Sequence, residues 1–225
     1  YNIIKSRIKQ KSSLHIIPNF VDTDLYVTES SAKLPPEFLS KPGFTNMLYA
    51  GNIGLAQEWD LVLNLANEIR EESITIWIIG EGIKKEYLKS QIQKHDLSNI
   101  KLLPYQDRKY MPAINLFADF HFIAMDKSME NDGFPSKVYS IMASGRPMVI
   151  VSSENTPITS FLNETDTSLL VTDHSLSGFK SAVLKMLSNK GFRQKLGANG
   201  RMIALEKYSK IKVISLYLKL IKKLI

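Results

Sequence analysis

Three loops of this 225-residue chain carry residue types suited to holding a phosphorylated ligand. "GNIG" (Gly51, Asn52, Ile53, Gly54) follows an apolar run ending at Ala50, with Gln57 shortly after it. "GEG" (Gly80 to Gly82) follows a run ending at Ile79. A longer polar loop, Met125 to Pro135, follows Ala124 and enters "DGFPSKVYSIMASGRP", Asp132 to Pro147. Glycine lets a ligand approach the backbone, and free N–H groups at a helix start suit a phosphate. Lys137 falls in the first turn of the helix expected over Lys137–Ser144. A cation there opposes the partial positive charge of the free N–H groups, by about 0.3–1 kcal/mol. A diphosphate would reverse that balance by taking the N–H groups and Lys137 together. With Ser136 as N-cap, Val138, Ile141 and Met142 form the buried stripe. Ser136, Lys137 and Ser140 then share the other side, where a ribose could reach Ser140. A solvated lysine beside two ordinary serines satisfies the same pattern.

Other chemistries find less support. Neither glycine loop matches G-x-G-x-x-G or G-x-x-x-x-G-K-[ST], so the dinucleotide and P-loop readings lose their main warrant. The histidines, His15, His95, His121 and His174, are scattered without metal-type spacing. His121 lies in an expected strand and reads as a core or edge residue. Asp126, Glu130 and Asp132 crowd one loop, either to grip sugar hydroxyls or to keep the loop soluble. No nucleophile stands with a partner base. Cys is absent, which excludes a disulfide framework and thiolate metal sites and agrees with a reducing, cytoplasmic setting.

The elements that must position these loops are legible as alternating patterns. β-rich runs occur at Leu14–Ile17, Asn46–Ala50, Ile74–Ile79, Ile100–Leu103, Phe120–Ala124, Met148–Val151 and Ser168–Val171. Several are almost continuously apolar, as strands buried on both faces are. Helical spacing appears at Trp59–Ile69, Ile83–His95, Met111–Phe117, Lys137–Ser144, Phe179–Leu187 and Phe192–Lys207. Such alternation predicts an α/β fold: a Rossmann-like parallel sheet with helices on both faces. Ligands of such sheets bind at the carboxyl ends of the strands, where all three loops fall. Thr28–Phe44, rich in Ser, Pro and Lys, reads as a connector or surface excursion. Lys210–Ile225 reads as a terminal helix that is both leucine-rich and basic.

The net charge of +7 is concentrated near the ends, in Lys5, Arg7, Lys9 and Lys11 and in Lys207, Lys210, Lys212, Lys219, Lys222 and Lys223. A basic surface suits nucleic acid, anionic lipid or a phosphorylated substrate, and equally a plain solvated face. A nucleic-acid-binding domain would need a basic stripe interleaved with exposed aromatics, which this distribution does not supply, so no nucleic-acid partner is expected. The opening "YNIIKSRIKQ" has no apolar signal region, and no apolar run reaches the ~20 residues of a membrane span. The first residues read like the tail of something longer, so the chain is expected to be a fragment.

Taken together, these motifs resemble the retaining GT-B glycosyltransferases of family 4, also called group 1. The resemblance covers nearly the whole chain but the second half of such an enzyme. "IIPNFVDTDLY" is similar to the family's I-P-N-G-V-D segment, with Phe20 at the usual Gly. "LYAGNIGLAQEWDLVLNLA", "IIGEG", "PYQDRKYMPAINLFADFHFI" and "FRQKLGANGRMIALEKYS" resemble later family segments. "DGFPSKVYSIMASGRPMVIV" resembles the donor helix region. Many members carry two glutamates in E-G-F-G-x-x-x-x-E-A-M-A, and Asp132 and Ser140 stand at those positions here. Asn52 and Gln57 stand where many members have the Arg and Lys that flank the diphosphate. G-N-I-G-x-x-Q with P-S-K resembles a subgroup associated with bacterial surface-polysaccharide and amino-sugar transferases, in which Lys137 takes over the missing charge.

The resemblance implies the second domain of a GT-B fold. Residues 1–20 would be the tail of, or linker from, an absent N-terminal acceptor domain. Residues 21–208 would bind the nucleotide-sugar donor, and 209–225 would form a basic C-terminal helix. The implied donor is UDP-linked, and the implied acceptor is a glycan or lipid-linked polysaccharide such as capsule or lipopolysaccharide. No cofactor and no metal are implied. Donor contacts would come from Gly51, Asn52, Ile53, Gly54, Gln57, Gly80, Gly82, Tyr105, Asp132, Gly133, Phe134, Pro135, Ser136, Lys137 and Ser140. Catalytic residues would be completed by the absent domain, leaving this chain inactive alone. The terminal helix would pack on that domain, with peripheral contact at the inner face of the plasma membrane as a second role. A GT-B-like UDP-sugar epimerase is the alternative enzyme.

Overall fold

The computed structural model describes residues 15–26, 33–130 and 133–224. Among them, six strands form one sheet: β1 (Thr45–Ala50), β2 (Ile74–Ile79), β3 (Ile100–Leu103), β4 (Phe120–Ala124), β5 (Met148–Val151) and β6 (Ser168–Val171). Every pairing is parallel, in the order β3-β2-β1-β4-β5-β6. The chain winds outward from β1 to β3, then returns to the other side of β1 to lay down β4. The strand order therefore reverses between β1 and β4, and ligands of such sheets bind in the crevice that opens there.

Side chains alternate between the two faces with the period of two that a strand imposes. Met47 and Tyr49 join Ile76, Ile78, Phe120 and Phe122 in one core. Helices α1 (Trp59–Glu68), α2 (Lys85–Lys94) and α6 (Leu176–Ser188) cover that face through Val62, Leu65, Leu88, Phe179 and Val183. On the opposite face, Ile123, Met148 and Ile150 meet α4 (Lys137–Ala143) and α5 (Pro157–Asn163) through Val138, Ile141, Met142 and Ile158. Leu48 and Trp77 meet Ile114 of α3 (Met111–Phe117) on that same face. Helix α7 (Lys190–Ile203) passes into a π-helical turn over Ala204–Tyr208, and α8 (Lys210–Leu224) follows. The expected helix over Phe192–Lys207 therefore changes its winding before its end.

Other expectations are corrected. Residues His15 to Ile17 have no strand structure, and Leu14 lies outside the described residues, as do Lys5, Arg7, Lys9 and Lys11. Helix α5 was not expected from the polar run after β5. Thr156 supports it with a capping box shared with Thr159, and Pro157 opens it. The described part of the connector is no mere excursion. Phe38 is buried and stacks on Trp77 at 5.4 Å between ring centroids, with Phe117 edge-on at 5.5 Å. An aromatic ring placed this way is a large share of a small local core. Phe38→Ala should lower the unfolding free energy by about 3–5 kcal/mol in urea denaturation. A loss within ~0.5 kcal/mol, the size of an ordinary surface change, would show that the connector does not hold the core.

Candidate functional site

The "GNIG" loop leaves β1 at the edge where the strand order reverses, and its backbone is fastened by three carbonyls. Tyr49 Oη donates to the Asn52 carbonyl at 2.7 Å, and Trp59 Nε1 donates to the Gly54 carbonyl at 2.8 Å. The Lys84 N–H donates to the Ile53 carbonyl at 3.0 Å. Two amides are also used: Gly51 N–H donates to Ile79 at 2.9 Å, and Ile53 N–H donates to Glu81 at 2.7 Å. The amides of Asn52 and Gly54 take no partner among the described residues. Three of the loop's four backbone acceptors are thus consumed inside the protein, the Gly51 carbonyl takes no donor among the described residues, and the two free amides can serve an anion.

The "GEG" loop serves this arrangement by its smallness. Its backbone lies so close to the first loop that a Cβ on Gly80 would fall 1.9 Å from the Gly51 carbonyl oxygen. A Cβ on Gly82 would fall 2.3 Å from the Ile53 carbonyl oxygen. Both glycines also have positive φ, of +148° and +153°, where a side chain would be strained. They are packing glycines that fix the neighbouring loop. Tyr105, 68% exposed after β3, is tied to the same loop through its N–H, which reaches Glu81 Oε1 at 3.4 Å.

Lys137 crosses to this loop from the other side of the strand reversal. Its Nζ lies 3.6 Å from the centroid of the Tyr49 ring. It would stand 2.5 Å from a Cβ built on Gly51. The residue as a whole is half-buried, but its ammonium end is enclosed, and desolvation pushes its pKa down to about 7. No carboxylate among the described residues forms an ion pair with it. The ring face of Tyr49 recovers part of that cost. The cost of this lysine is therefore desolvation, rather than opposition to a helix dipole. Helix α4 has seven residues, and Ser136 is itself helical, with φ −58° and no side-chain cap. Ser136 therefore stands at the expected N-cap position, but its hydroxyl does not cap the helix as expected, while Val138, Ile141 and Met142 are buried as their spacing predicts.

The remaining predicted residues divide. Gln57 lies opposite Met125 across an isolated β-bridge, and its Nε2 donates to the Ala56 carbonyl at 2.9 Å. Its Oε1 is buried without a partner among the described residues. Ser140 Oγ donates to the Lys137 carbonyl at 2.9 Å within its own helix. Ser136 and Ser140 line a cavity of about 400 Å³ with Tyr26, Arg108 and Pro112, and neither Gly51 nor Lys137 is part of that lining. Phe134 packs in an aromatic group with Tyr139 and Phe161. Pro135 accepts from the Val138 N–H, and Gly133 is exposed. Asp132 lies outside the described residues. His121 is a core residue: its Nε2 stands 3.3 Å from the Asn115 carbonyl, and burial pushes its pKa down to about 3.

A larger cavity, about 550 Å³, lies at the opposite edge of the sheet, beside Asp119, Arg146, Arg193 and Arg201. Its arginines donate to carbonyls near helix ends: Arg146 to Leu116, Arg201 to Ala143, and Arg193 to Met186 and Leu187. Those contacts place cations at the negative ends of α3, α4 and α6, a structural role. Sequence reasoning missed two features of the site. Tyr49 fell within an apolar run and Trp59 at the start of a helical span, and neither was singled out, because their polar tips gave no signal. His174 read as one of several scattered histidines, yet it is buried between Glu58 and Glu130.

Comparisons with known proteins bear on the family and the fold. The family profile described as Glycosyl transferases group 1 matches residues 31–202, more than half of the chain. The Escherichia coli (strain K12) protein WcaI, assigned by name to colanic acid biosynthesis as a glycosyl transferase, is 30% identical over 112 residues. That match covers 50% of this chain and 28% of the relative, so the chain spans well under two thirds of it. The Anabaena protein Alr3699/HepE, solved with UDP and glucose, superposes with a TM-score of 0.74 at 14% identity. It covers 92% of this chain and 56% of its own. The C-terminal domain of LpcC, a glycosyl transferase group 1 family protein from Francisella tularensis, superposes with a TM-score of 0.64 at 17% identity. There the match covers 84% of this chain and 99% of that domain.

The enclosed ammonium predicts a pH signature in the unliganded protein. With a folded pKa near 7, below the usual lysine value of 10.5, the unfolded chain binds more protons between those limits. Stability contributed at this position is therefore lowest below pH 7 and rises as pH increases above it. Lys137→Met removes the effect, so the variant should exceed wild type most at pH 6 and least at pH 9, in paired urea titrations. A difference independent of pH would show that the ammonium is not desolvated.

Proposed function

The chain belongs to the glycosyl transferases group 1 family, and we propose that it forms the nucleotide-sugar-binding half of a retaining glycosyltransferase. The observation that carries this reading is the enclosed Lys137 ammonium, set against a loop whose Asn52 and Gly54 amides are unspent. A diphosphate would supply the missing negative charge, accept from both amides and restore the lysine's ordinary ionisation. The donor is UDP-linked in this reading, which draws support from HepE, solved with UDP and glucose on the same fold. The cavity lined by Ser136, Ser140 and Arg108 would take the ribose in this reading, and the exposed Tyr105 would meet the base.

The reaction breaks the bond between the sugar's anomeric carbon and the β-phosphate oxygen. UDP leaves with the electron pair, and the anomeric carbon joins an acceptor hydroxyl oxygen, which gives up its proton. Negative charge grows on the departing diphosphate as that bond opens. Lys137 and the loop amides would bind that growing charge more strongly than the ground state, which lowers the barrier. The transferred sugar is of hexosyl or N-acetylhexosaminyl type, and the acceptor is a growing or lipid-linked surface polysaccharide. The colanic acid relative supports that acceptor class. An N-terminal domain would hold the acceptor and complete the catalytic residues. The superposition on a solved C-terminal domain from the same family supports this division. No helix of the described residues is long and apolar enough to cross a membrane. Helix α8 exposes Ile211, Ile214, Tyr217, Leu218 and Ile221 beside several lysines. That surface suits packing on the partner domain, with contact to an anionic membrane as a second role.

A calorimetric panel of UDP, GDP, ADP and their sugars tests the reading. UDP and a UDP-sugar should bind this chain, with proton uptake on binding near pH 8 as the Lys137 pKa recovers. Lys137→Ala should weaken UDP binding roughly tenfold or more, as loss of a charge-assisted contact does. Absence of binding by every member of the panel would overturn the reading, and unchanged affinity in the variant would remove Lys137 from it.

A further inference from the structure

His174 is buried, and its backbone is left-handed, with φ of +53°. Outside glycine that conformation is uncommon and persists when surrounding contacts over-determine it. The contacts here are specific. Nδ1 lies 2.8 Å from Glu58 Oε2, while Nε2 lies 3.2 Å from Glu130 Oε2 and 3.2 Å from Ser153 Oγ. The Ser153 N–H donates to the same Glu130 oxygen at 2.8 Å. Burial pushes the Glu130 carboxyl up, but Ser153 and His174 outweigh it and hold the carboxyl below its usual range. A ring carrying two protons donates to both carboxylates. With one proton it donates to Glu58 and accepts from the Ser153 hydroxyl, and Ser153, whose N–H donates to Glu130, carries the link on to that carboxylate. These residues follow β1, β4, β5 and β6, which are neighbours in the sheet. One ring thus contacts three other loop ends, and these contacts tie the loops together.

What the tie joins gives it meaning. Glu58 ends the loop that starts at Gly51, and Glu130 lies in the loop that leads to Lys137. The two loops pair where they leave the sheet: Glu58 N–H donates to Ala124 at 2.8 Å, and Asp126 N–H donates to Ala56 at 3.1 Å. Asp126 then closes a small turn, accepting from the Ser128 N–H at 2.9 Å. Beyond that turn Glu130 is the next fastening on the way to Lys137.

We propose that His174 is a positioning residue of the donor site, joining Glu58 to Glu130 and thereby setting the Lys137 loop against the Gly51–Glu58 loop. The role rests on reading those two loops as the diphosphate site. His174 touches no ligand in this scheme and acts through the loops it fastens. A purely structural histidine would instead lower global stability without singling out these loops.

Amide hydrogen exchange and UDP calorimetry on this chain, wild type against His174→Ala, test the proposal below the unfolding transition of both. Exchange should accelerate roughly tenfold at Met129, Glu130 and Ser153, while Gly80 to Lys85 remain unchanged, because local openings are confined to the units that lose contacts. UDP binding should weaken roughly tenfold, and the double variant with Lys137→Met should bind no more weakly than Lys137→Met alone, since coupled groups are non-additive. Unchanged exchange at Met129, Glu130 and Ser153 overturns the tie. So does uniform acceleration that includes β2 and β3. Additive losses in the double variant overturn the action through Lys137. If wild type fails to bind UDP while the exchange result holds, the donor reading fails and the loop tie stands. If His174→Ala does not fold, Glu130→Gln takes its place with the same exchange signature expected.

Discussion

An ammonium group lies on the ring of Tyr49, against the backbone of Gly51, without a carboxylate among the described residues to neutralise it. Much of the rest of the structure follows from keeping it there. A desolvated cation is expensive, and a protein that places one needs a rigid frame to prevent it from swinging into water. Tyr49 supplies one wall of that frame. Its ring receives the charge, and its hydroxyl holds the Asn52 carbonyl. One side chain therefore fixes both the cation and the loop opposite it. Trp59, edge-on to Tyr49 at 5.1 Å, holds the Gly54 carbonyl in the same way.

Two sets of contacts extend the frame along the carboxyl edge of the sheet. On one side, Gly80 and Gly82 let the second loop lie against the first, and Glu81 reaches on to Tyr105 and Lys85. This side spans β1, β2 and β3. On the other, His174 gathers Glu58, Glu130 and Ser153 from the ends of β1, β4 and β5. The two sets meet at the loop after β1, beside the point where the strand order reverses. A crevice between loops that diverge is a natural ligand site, and these contacts set its width. The cavity at the far edge has more volume and more arginines, yet those arginines are spent on helix-end carbonyls. Volume and charge alone would have pointed to the wrong end of the sheet.

The strands were legible because they are short, apolar and bounded by turn residues. Five of the six observed strands match their expected spans, and β1 adds Thr45. The expected strand at Leu14–Ile17, absent over the described His15–Ile17, shows the limit of that signal: an apolar run alone does not supply hydrogen-bonding neighbours. Helix α5 was hidden for the opposite reason, since its start is polar and its buried apolar stripe is as short as Ile158 and Leu162, with a capping box at its head. Phe38 was hidden inside a Ser- and Pro-rich connector, where composition says surface and one aromatic ring says otherwise.

For the site, the chain's local chemistry determined which loops matter. Glycines after buried strands, and a lysine where a helix begins, identify an edge that can hold a phosphate, and the motifs name a family. Residue type and spacing carry that information because they act within a few positions of one another. The tertiary structure decided what each residue does. Ser136 and Ser140 open onto one cavity while Lys137 turns to Tyr49, although all three share a short helix. Gly80 and Gly82 make room for backbone, and His174 meets carboxylates 116 and 44 positions away. Contacts of that range depend on which strands lie side by side, and the strand order is fixed when the sheet assembles.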